Sequence, residues 1–271
     1  MISHKQTPGF VTENSRSRHI QTLLRRHGEC SVGLLARQCG VSDMTIRRDL
    51  ALLARHGKVL RTHGGATVGE KVLFEFQFLQ RSQVNESAKQ GIARAASRVV
   101  QDGQSVLMDS GTTTLALAAQ LRARRNLTVI TTSLPVAATL QHAAGVKVLL
   151  LGGFVRHDSP DLVGALTEGN LETLQADLAF IGADAIDLHG HLYNQSPEVA
   201  RMLGKMAAAA GSVYVVADSS KVGRTALVRF GHLARWGGLI TDARLTRTQA
   251  AALRRAGVKL TLAPSKPEDS P

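Results

Sequence analysis

The chain is poor in cysteine. Its two, Cys30 and Cys39, have no second Cys or His pair at zinc spacing, so both are read as small buried side chains and no metal site is expected. Long apolar runs are missing too, and without about 18 consecutive apolar residues no membrane span is expected. The opening MISHKQTPGF lacks the apolar stretch of a secretory signal, which points to a cytoplasmic protein. Aromatics make up 4% of the chain. The single Trp236 and the stripe Phe74, Phe76, Phe78 are read as core or interface, with no cofactor implied. No internal repeat or low-complexity tract is present. Acidic residues are the last shortage: 21 Asp plus Glu face 33 Lys plus Arg, a formal charge of +12, which favours an acidic partner.

That charge is unevenly spread. Residues 1–70 hold 11 basic and 5 acidic residues, a net +6, and the remaining 201 residues hold 22 and 16, also +6. The dense quarter contains VSDMTIRRDLALLARHGKVLRTHGGA, from Val41 to Ala66. Ile46, Leu50 and Leu53 recur at helical spacing and face a small core, leaving Met44, Thr45, Arg47 and Arg48 to point outward. Adjacent arginines on an open helix face reach guanine edges or phosphates. An isolated Arg-Arg pair is most often only a solvated face, but its surroundings here argue otherwise. Ser31 is placed to cap a helix from Val32 to Gln38, Gly40 to close it and Ser42 to cap the next. Two helices across so short a turn follow the helix-turn-helix plan. Ser15 or Ser17 is expected to cap an earlier helix carrying Ile20, Leu23 and Leu24 and ending at Gly28. Lys58 to Leu60 and His63 to Thr67 are expected to form a wing bent at Gly64 and Gly65. Ser31, Arg61 and His63 are candidates for phosphate contacts that fix register, and Ser42 completes the DNA-facing set.

From about Lys89 onward helix and strand patterns alternate. Apolar strands are expected at Ser105 to Met108, Leu127 to Thr131, Val146 to Leu151, Leu178 to Ile181, Val213 to Ala217, Leu239 to Thr241 and Lys259 to Leu262. Helices intervene, among them one starting at Ser133-Leu134-Pro135, one from Pro197 to Ala210 stopped by Gly211, and one from Arg247 to Arg255 capped by Thr246. This is the pattern of a mostly parallel sheet covered on both faces. The fold class is therefore α/β: an N-terminal winged helix-turn-helix (15–68), a linker (69–88) and a larger α/β domain (89–263), with tails at 1–14 and 264–271.

Ligands in such sheets bind at the carboxyl ends of the strands, and the polar residues gather there. Asp109-Ser110-Gly111-Thr112-Thr113-Thr114 joins a glycine and several hydroxyls to a helix N-terminus, where free amides and the helix dipole favour a phosphate. Thr131-Thr132-Ser133, Gly182-Ala183-Asp184 and Asp218-Ser219-Ser220-Lys221 end three more strands. Each alone is most often a cap or a surface pair. Four together favour a small polyhydroxylated phosphate, with Thr131, Ser133 and Lys221 as further contacts and Asp109, Asp184 or Asp218 accepting sugar hydroxyls.

On these motifs the chain resembles the DeoR-type bacterial transcriptional regulators, over about Ser15 to Ala263. The resemblance rests on Thr45-Ile46-Arg47-Arg48-Asp49-Leu50 and His63-Gly64-Gly65-Ala66 in the DNA-binding part. In the sensor part it rests on Asp109 to Thr114, Gly182-Ala183-Asp184-Ala185-Ile186-Asp187 and Asp218-Ser219-Ser220-Lys221. It implies a regulator, usually a repressor, that binds double-stranded operator DNA, is released by a phosphorylated sugar, and works as a homo-oligomer, dimer or tetramer. It implies no enzyme and no cofactor. The sensor also looks like ribose-5-phosphate isomerase, which makes a sugar-phosphate isomerase the alternative. Ala185 stands where that enzyme's motif is acidic, however. The stretch Leu192-Tyr193-Asn194-Gln195 lacks its lysine and glycines, and Glu198 alone matches its glutamate. A proton-shuttling isomerase needs both a base and a cation for the oxyanion, so the expectation is a sensor that kept a phosphate site without the chemistry.

Overall fold

The computed structural model describes residues 13–55, 58–67, 78, 81–156 and 159–264. The chain divides into two compact units, Met1–Gln77 and Phe78–Pro271.

In the first unit, α1 (Glu13–His27) leads through β1 (Glu29–Ser31) to α2 (Val32–Cys39), α3 (Asp43–Arg55), β2 (Leu60–Thr62) and β3 (Gly65–Thr67). Ser15 and Ser17 lie inside α1, so neither caps it. Ser31 accepts from the Leu34 amide and Gly40 takes the left-handed conformation at φ +67 that ends α2. Ile20, Leu24, Leu35, Ile46 and Leu50 are fully buried and tie the three helices into one core with Val32, Leu53 and Val59. The wing is wider than the expected hairpin, because β1 adds to it in the order β1-β3-β2. Gly65 makes this possible. A Cβ there would lie 2.0 Å from the Cys30 carbonyl oxygen, so only glycine lets β3 approach β1 this closely. Cys30 is buried and Cys39 only half-buried, and burial pushes both thiols up.

The second unit is a doubly covered parallel sheet. Its elements run α4 (Glu86–Ser97), β4 (Ser105–Met108), α5 (Thr112–Leu121), β5 (Leu127–Thr131), α6 (Leu134–Leu140), β6 (Val146–Leu150), β7 (Phe154–Val155), β8 (Leu162–Val163), α7 (Ala165–Glu172) and β9 (Ala176–Ile181). They continue β10 (Ala185–Ile186), β11 (His191–Asn194), α8 (Pro197–Ala208), β12 (Ala210–Val216), β13 (Val228–His232), β14 (Gly238–Asp242), α9 (Arg247–Arg255) and β15 (Leu260–Ala263). The sheet order is β15-β14-β12-β9-β4-β5-β6, every neighbouring pair parallel. Ile92, Leu117 and Leu140, from α4, α5 and α6, fill one core, while Leu203 and Met206 of α8 and Leu253 of α9 fill another. Ser133 and Ser196 cap α6 and α8, and Thr246 with Gln249 forms a capping box on α9.

Several expectations are corrected here. α8 stops at Ala208, and Gly211 lies inside β12 rather than ending the helix. Helix α4 begins at Glu86, within the stretch read as linker. A short hairpin of β7 and β8 and a small antiparallel sheet, β10-β11-β13, were not foreseen. Trp236 is half-buried against the second core, its ring packed where Gly231 leaves room. Phe78 is buried, while Phe74 and Phe76 lie outside the described residues.

Candidate functional site

Helix α3 separates its residues by side. Ile46, Leu50 and Leu53 pack inward, and Asp49, also buried, receives Arg16 of α1 in a two-pronged pair at 2.6 and 3.1 Å. Asp49 thus clamps α1 to α3, a structural role that its place between Arg48 and Leu50 did not reveal. Met44, Arg47 and Arg48 are exposed on the opposite side and Thr45 is half-buried. Ser42 caps α3 by accepting from the Thr45 amide at 3.3 Å, and its hydroxyl lies 3.0 Å from that of Thr45. Ser31 likewise holds the Leu34 amide at 3.2 Å. Both serines are exposed, yet each already serves a helix start. Arg61 on β2 and His63 in the following turn are exposed.

In the second unit the polar strand ends separate into an inner and an outer set. Asp109 is buried; its carboxylate accepts from the Gly111 amide at 2.9 Å, the Thr114 hydroxyl at 2.9 Å and the Gly182 amide at 2.6 Å. Burial pushes this carboxyl above the usual range, against those three hydrogen bonds, which favour the ionised form. Thr114 is fully enclosed and also bonds the carbonyls of Asp109 and Gly111. Thr113 is buried. Thr131 donates to the Met108 carbonyl at 2.8 Å and accepts from the Ser133 amide, while Ser133 accepts from the Val136 amide. Asp109, Thr113, Thr114, Thr131 and Ser133 therefore shape the loops from inside, with the polar groups of Asp109, Thr114, Thr131 and Ser133 bonded to the protein itself.

The outer set is half-buried: Ser110, Gly111, Thr112, Asp184 and Lys221. Gly111 is the N-cap of α5 and brings no side chain to the first amides of that helix. Lys221 ends a 3₁₀ turn, Ser219–Lys221, whose start is capped by Asp218. Asp184 accepts from the Gln195 amide at 3.0 Å. Strands β4, β9 and β12 are consecutive in the sheet, so the loop at Ser110 and the turn at Lys221 follow strands two places apart.

Two further groups carry no signal in residue spacing. Asp161, from the β7–β8 connection, is fully buried and accepts from the Ser110 hydroxyl at 2.6 Å, with Arg156 Nε 3.1 Å from its other oxygen. Lys89 of α4 is buried and donates to the carbonyls of Val84 at 2.7 Å and Arg81. Burial lowers its ammonium, opposed by the nearby Asp218. Asn85 reaches the same Asp218 at 3.0 Å and receives Arg244 at 3.1 Å.

The chain matches the DeoR C terminal sensor domain over residues 84–243 and the DeoR-like helix-turn-helix domain over residues 16–72. The chain belongs to the DeoR family. Among DeoR relatives, a putative aga operon transcriptional repressor of Escherichia coli O157:H7 is 34% identical over 93% of this chain and 94% of its own length. The glycerol-3-phosphate regulon repressor of Escherichia coli K12 is 30% identical, over 86% of this chain and 92% of its own. A D-ribose-5-phosphate isomerase in complex with phospho-erythronic acid superimposes with a TM-score of 0.38 at 17% identity, covering 51% of this chain and 54% of that one. That likeness is too loose to bear on chemistry. The DeoR assignment makes the chain a DNA-binding transcriptional regulator rather than an enzyme. Glu198, which the sequence matched to the isomerase glutamate, lies half-buried in the first turn of α8, where a carboxylate favours the helix dipole. Among the described residues no helix is long and apolar enough to cross a membrane.

Proposed function

We propose that this chain is a cytoplasmic repressor of a carbohydrate-metabolism operon, held on double-stranded operator DNA as a homo-oligomer and released by a phosphorylated sugar. Met44, Thr45, Arg47 and Arg48 are the base readers in the major groove. Arg61 and His63 contact phosphates, and Ser31 and Ser42 act by fixing the two helix starts. The operon and regulon names of the relatives support a carbohydrate target.

The observation that carries the sensor reading is the open start of α5. Gly111 leaves the first amides of a ten-residue helix without a side-chain cap, beside the half-buried hydroxyls of Ser110 and Thr112. An anion placed there gains those amides and the positive end of the helix dipole. Lys221 supplies a cation to the same ligand, and Asp184 accepts its hydroxyls. Asp109, Thr113, Thr114, Thr131 and Ser133 hold the loops in shape. Linkage follows from differential binding: an effector that prefers the arrangement unfit for DNA weakens operator affinity by the same factor that DNA weakens its own. Typical couplings are about 1–3 kcal/mol.

Isothermal titration of the full chain tests the site. Heat from phosphorylated triose, pentose or hexose, absent with the unphosphorylated sugar and lost in Lys221→Ala, agrees with the reading. Turnover of a sugar phosphate by the purified protein would restore the isomerase alternative.

A further inference from the structure

The parallel sheet of the sensor unit ends in two edge strands of different character. β15 exposes Leu262 and is flanked by Lys259 and Pro264, the charge and proline with which proteins commonly blunt an edge. β6 has only Lys147, and residues 148–155, Val-Leu-Leu-Leu-Gly-Gly-Phe-Val, contain no charge and no proline. Along this edge Leu149 is 43% exposed, Leu150 39%, Phe154 80%, Val155 53% and Leu166, at the start of α7, 64%. Two of them reach neighbouring glycines of the same region: the Leu166 side chain lies over Gly152 and the Phe154 ring over Gly164. A single exposed leucine is unremarkable in a folded protein, but a patch of this kind on an unpaired edge marks an interface or an aggregation hazard.

We infer that the face formed by β6, β7 and the start of α7 is where two copies of this chain meet, edge to edge about a twofold axis. The inference rests on the reading that the chain works as a homo-oligomer. A second copy fits this face better than an unrelated partner for three reasons. A chain of formal charge +12 repels its own kind, and copies approach at least electrostatic cost where a long uncharged run meets itself. An isologous contact also lets β6 satisfy its open backbone groups with the same strand running antiparallel. The exposed apolar side chains along this edge contribute to the surface each partner gives to a standard interface, about 800 Å². One recognition helix per chain moreover calls for two copies on paired half-sites.

The hairpin that carries Phe154 and Val155 also carries Asp161, the partner of Ser110. The meeting face and the proposed phosphate loop are thus joined by one short element, and an anion that takes over the Ser110 hydroxyl alters the anchorage of that element.

Sedimentation velocity of the full chain at micromolar concentration tests the face. The wild type is expected to sediment as a dimer or an even-numbered assembly. Leu149→Lys with Phe154→Lys is expected to drop to half that mass with an unchanged circular dichroism spectrum and at least tenfold weaker operator binding. Leu262→Lys on the opposite edge should change neither. If the wild type is assembled and the double variant equally so, this face is wrong while the oligomer reading stands; a wild type that is monomeric both free and on DNA overturns both. Should the double variant fail to fold, hydrogen exchange of the wild type decides: protection of residues 146–155 should rise with protein concentration, and protection independent of concentration contradicts the interface.

Discussion

Ser110 donates a 2.6 Å hydrogen bond to Asp161 across 51 residues of chain, and Asp161 is itself held by Arg156 at 3.1 Å. A hydroxyl beside the open end of α5 is therefore engaged by a buried carboxylate before any ligand arrives. On the proposed site, a phosphate at that helix start competes with Asp161 for the same proton.

On the proposed site, replacing Ser110 removes one contact to the ligand and leaves the loop anchored through Asp109. Hydrogen bonds to a charged group contribute about 1.5–3 kcal/mol, so Ser110→Ala should raise the effector concentration needed for half release by about tenfold or more. Because the variant also loses the Ser110–Asp161 bond, operator affinity without effector should fall as well. Anisotropy titrations of both proteins on the same DNA measure both quantities.

Arg47 and Arg48 are exposed on the side of α3 opposite its core residues, so truncating them leaves the helix packing intact. Arg47→Ala or Arg48→Ala should weaken operator binding by roughly 1–3 kcal/mol where the arginine reads a base, with relaxed preference at that position. Where it meets only a phosphate, the loss should be uniform across sequences and the salt dependence shallower. Competition with operator variants at two salt concentrations separates the two cases.

Gly65 sits where an added Cβ would fall 2.0 Å from the Cys30 carbonyl oxygen. Gly65→Ala must push β3 away from β1, and overpacking of this kind costs about 1–3 kcal/mol. The expected result is a lower melting temperature for the N-terminal unit and weakened DNA binding, with effector binding by the sensor unit retained. Calorimetry with and without sugar phosphate distinguishes the two units.

Asp177 links β9 to β4. The Ser105 hydroxyl and amide donate to its carboxylate at 2.6 and 2.7 Å and hold its carboxyl below the usual range. A carboxyl lowered in the folded state adds stability that is present above its unfolded pKa, about 3.9, and is lost as pH falls through the lower folded value. Asp177→Asn should therefore be less stable than wild type at neutral pH, and the gap should close as pH falls below about 4. Urea unfolding of both proteins across that range measures the gap; a constant difference would contradict the assignment.

How much of this was legible in the sequence depended on the range of each interaction. The caps at Ser31, Ser42, Ser133, Ser196 and Thr246 join residues three apart, so residue type and position disclose them. Parallel strands buried on both faces show as unbroken apolar runs, which is why the strands from Ser105 to Leu262 could be placed. Direction could not. Asp109, Thr131 and Ser133 read as ligand contacts because hydroxyls and carboxylates look alike whether they turn outward or inward, and the fold turns them inward. Long-range pairs were invisible: nothing near Ser110 names Asp161, and nothing near Arg48 says that Asp49 clamps Arg16. Strand β1 escaped because three residues carry no period, and its pairing depends on the missing side chain of Gly65.

The most direct test of the account is fluorescence anisotropy of the full chain on DNA upstream of its own gene, titrated with triose, pentose and hexose phosphates and with their unphosphorylated counterparts. The account predicts tight, sequence-dependent binding that one phosphorylated sugar abolishes and its free sugar does not, with Lys221→Ala bound to DNA but no longer released. Specific binding indifferent to every phosphate, or Lys221→Ala losing DNA binding with its fold intact, would contradict it.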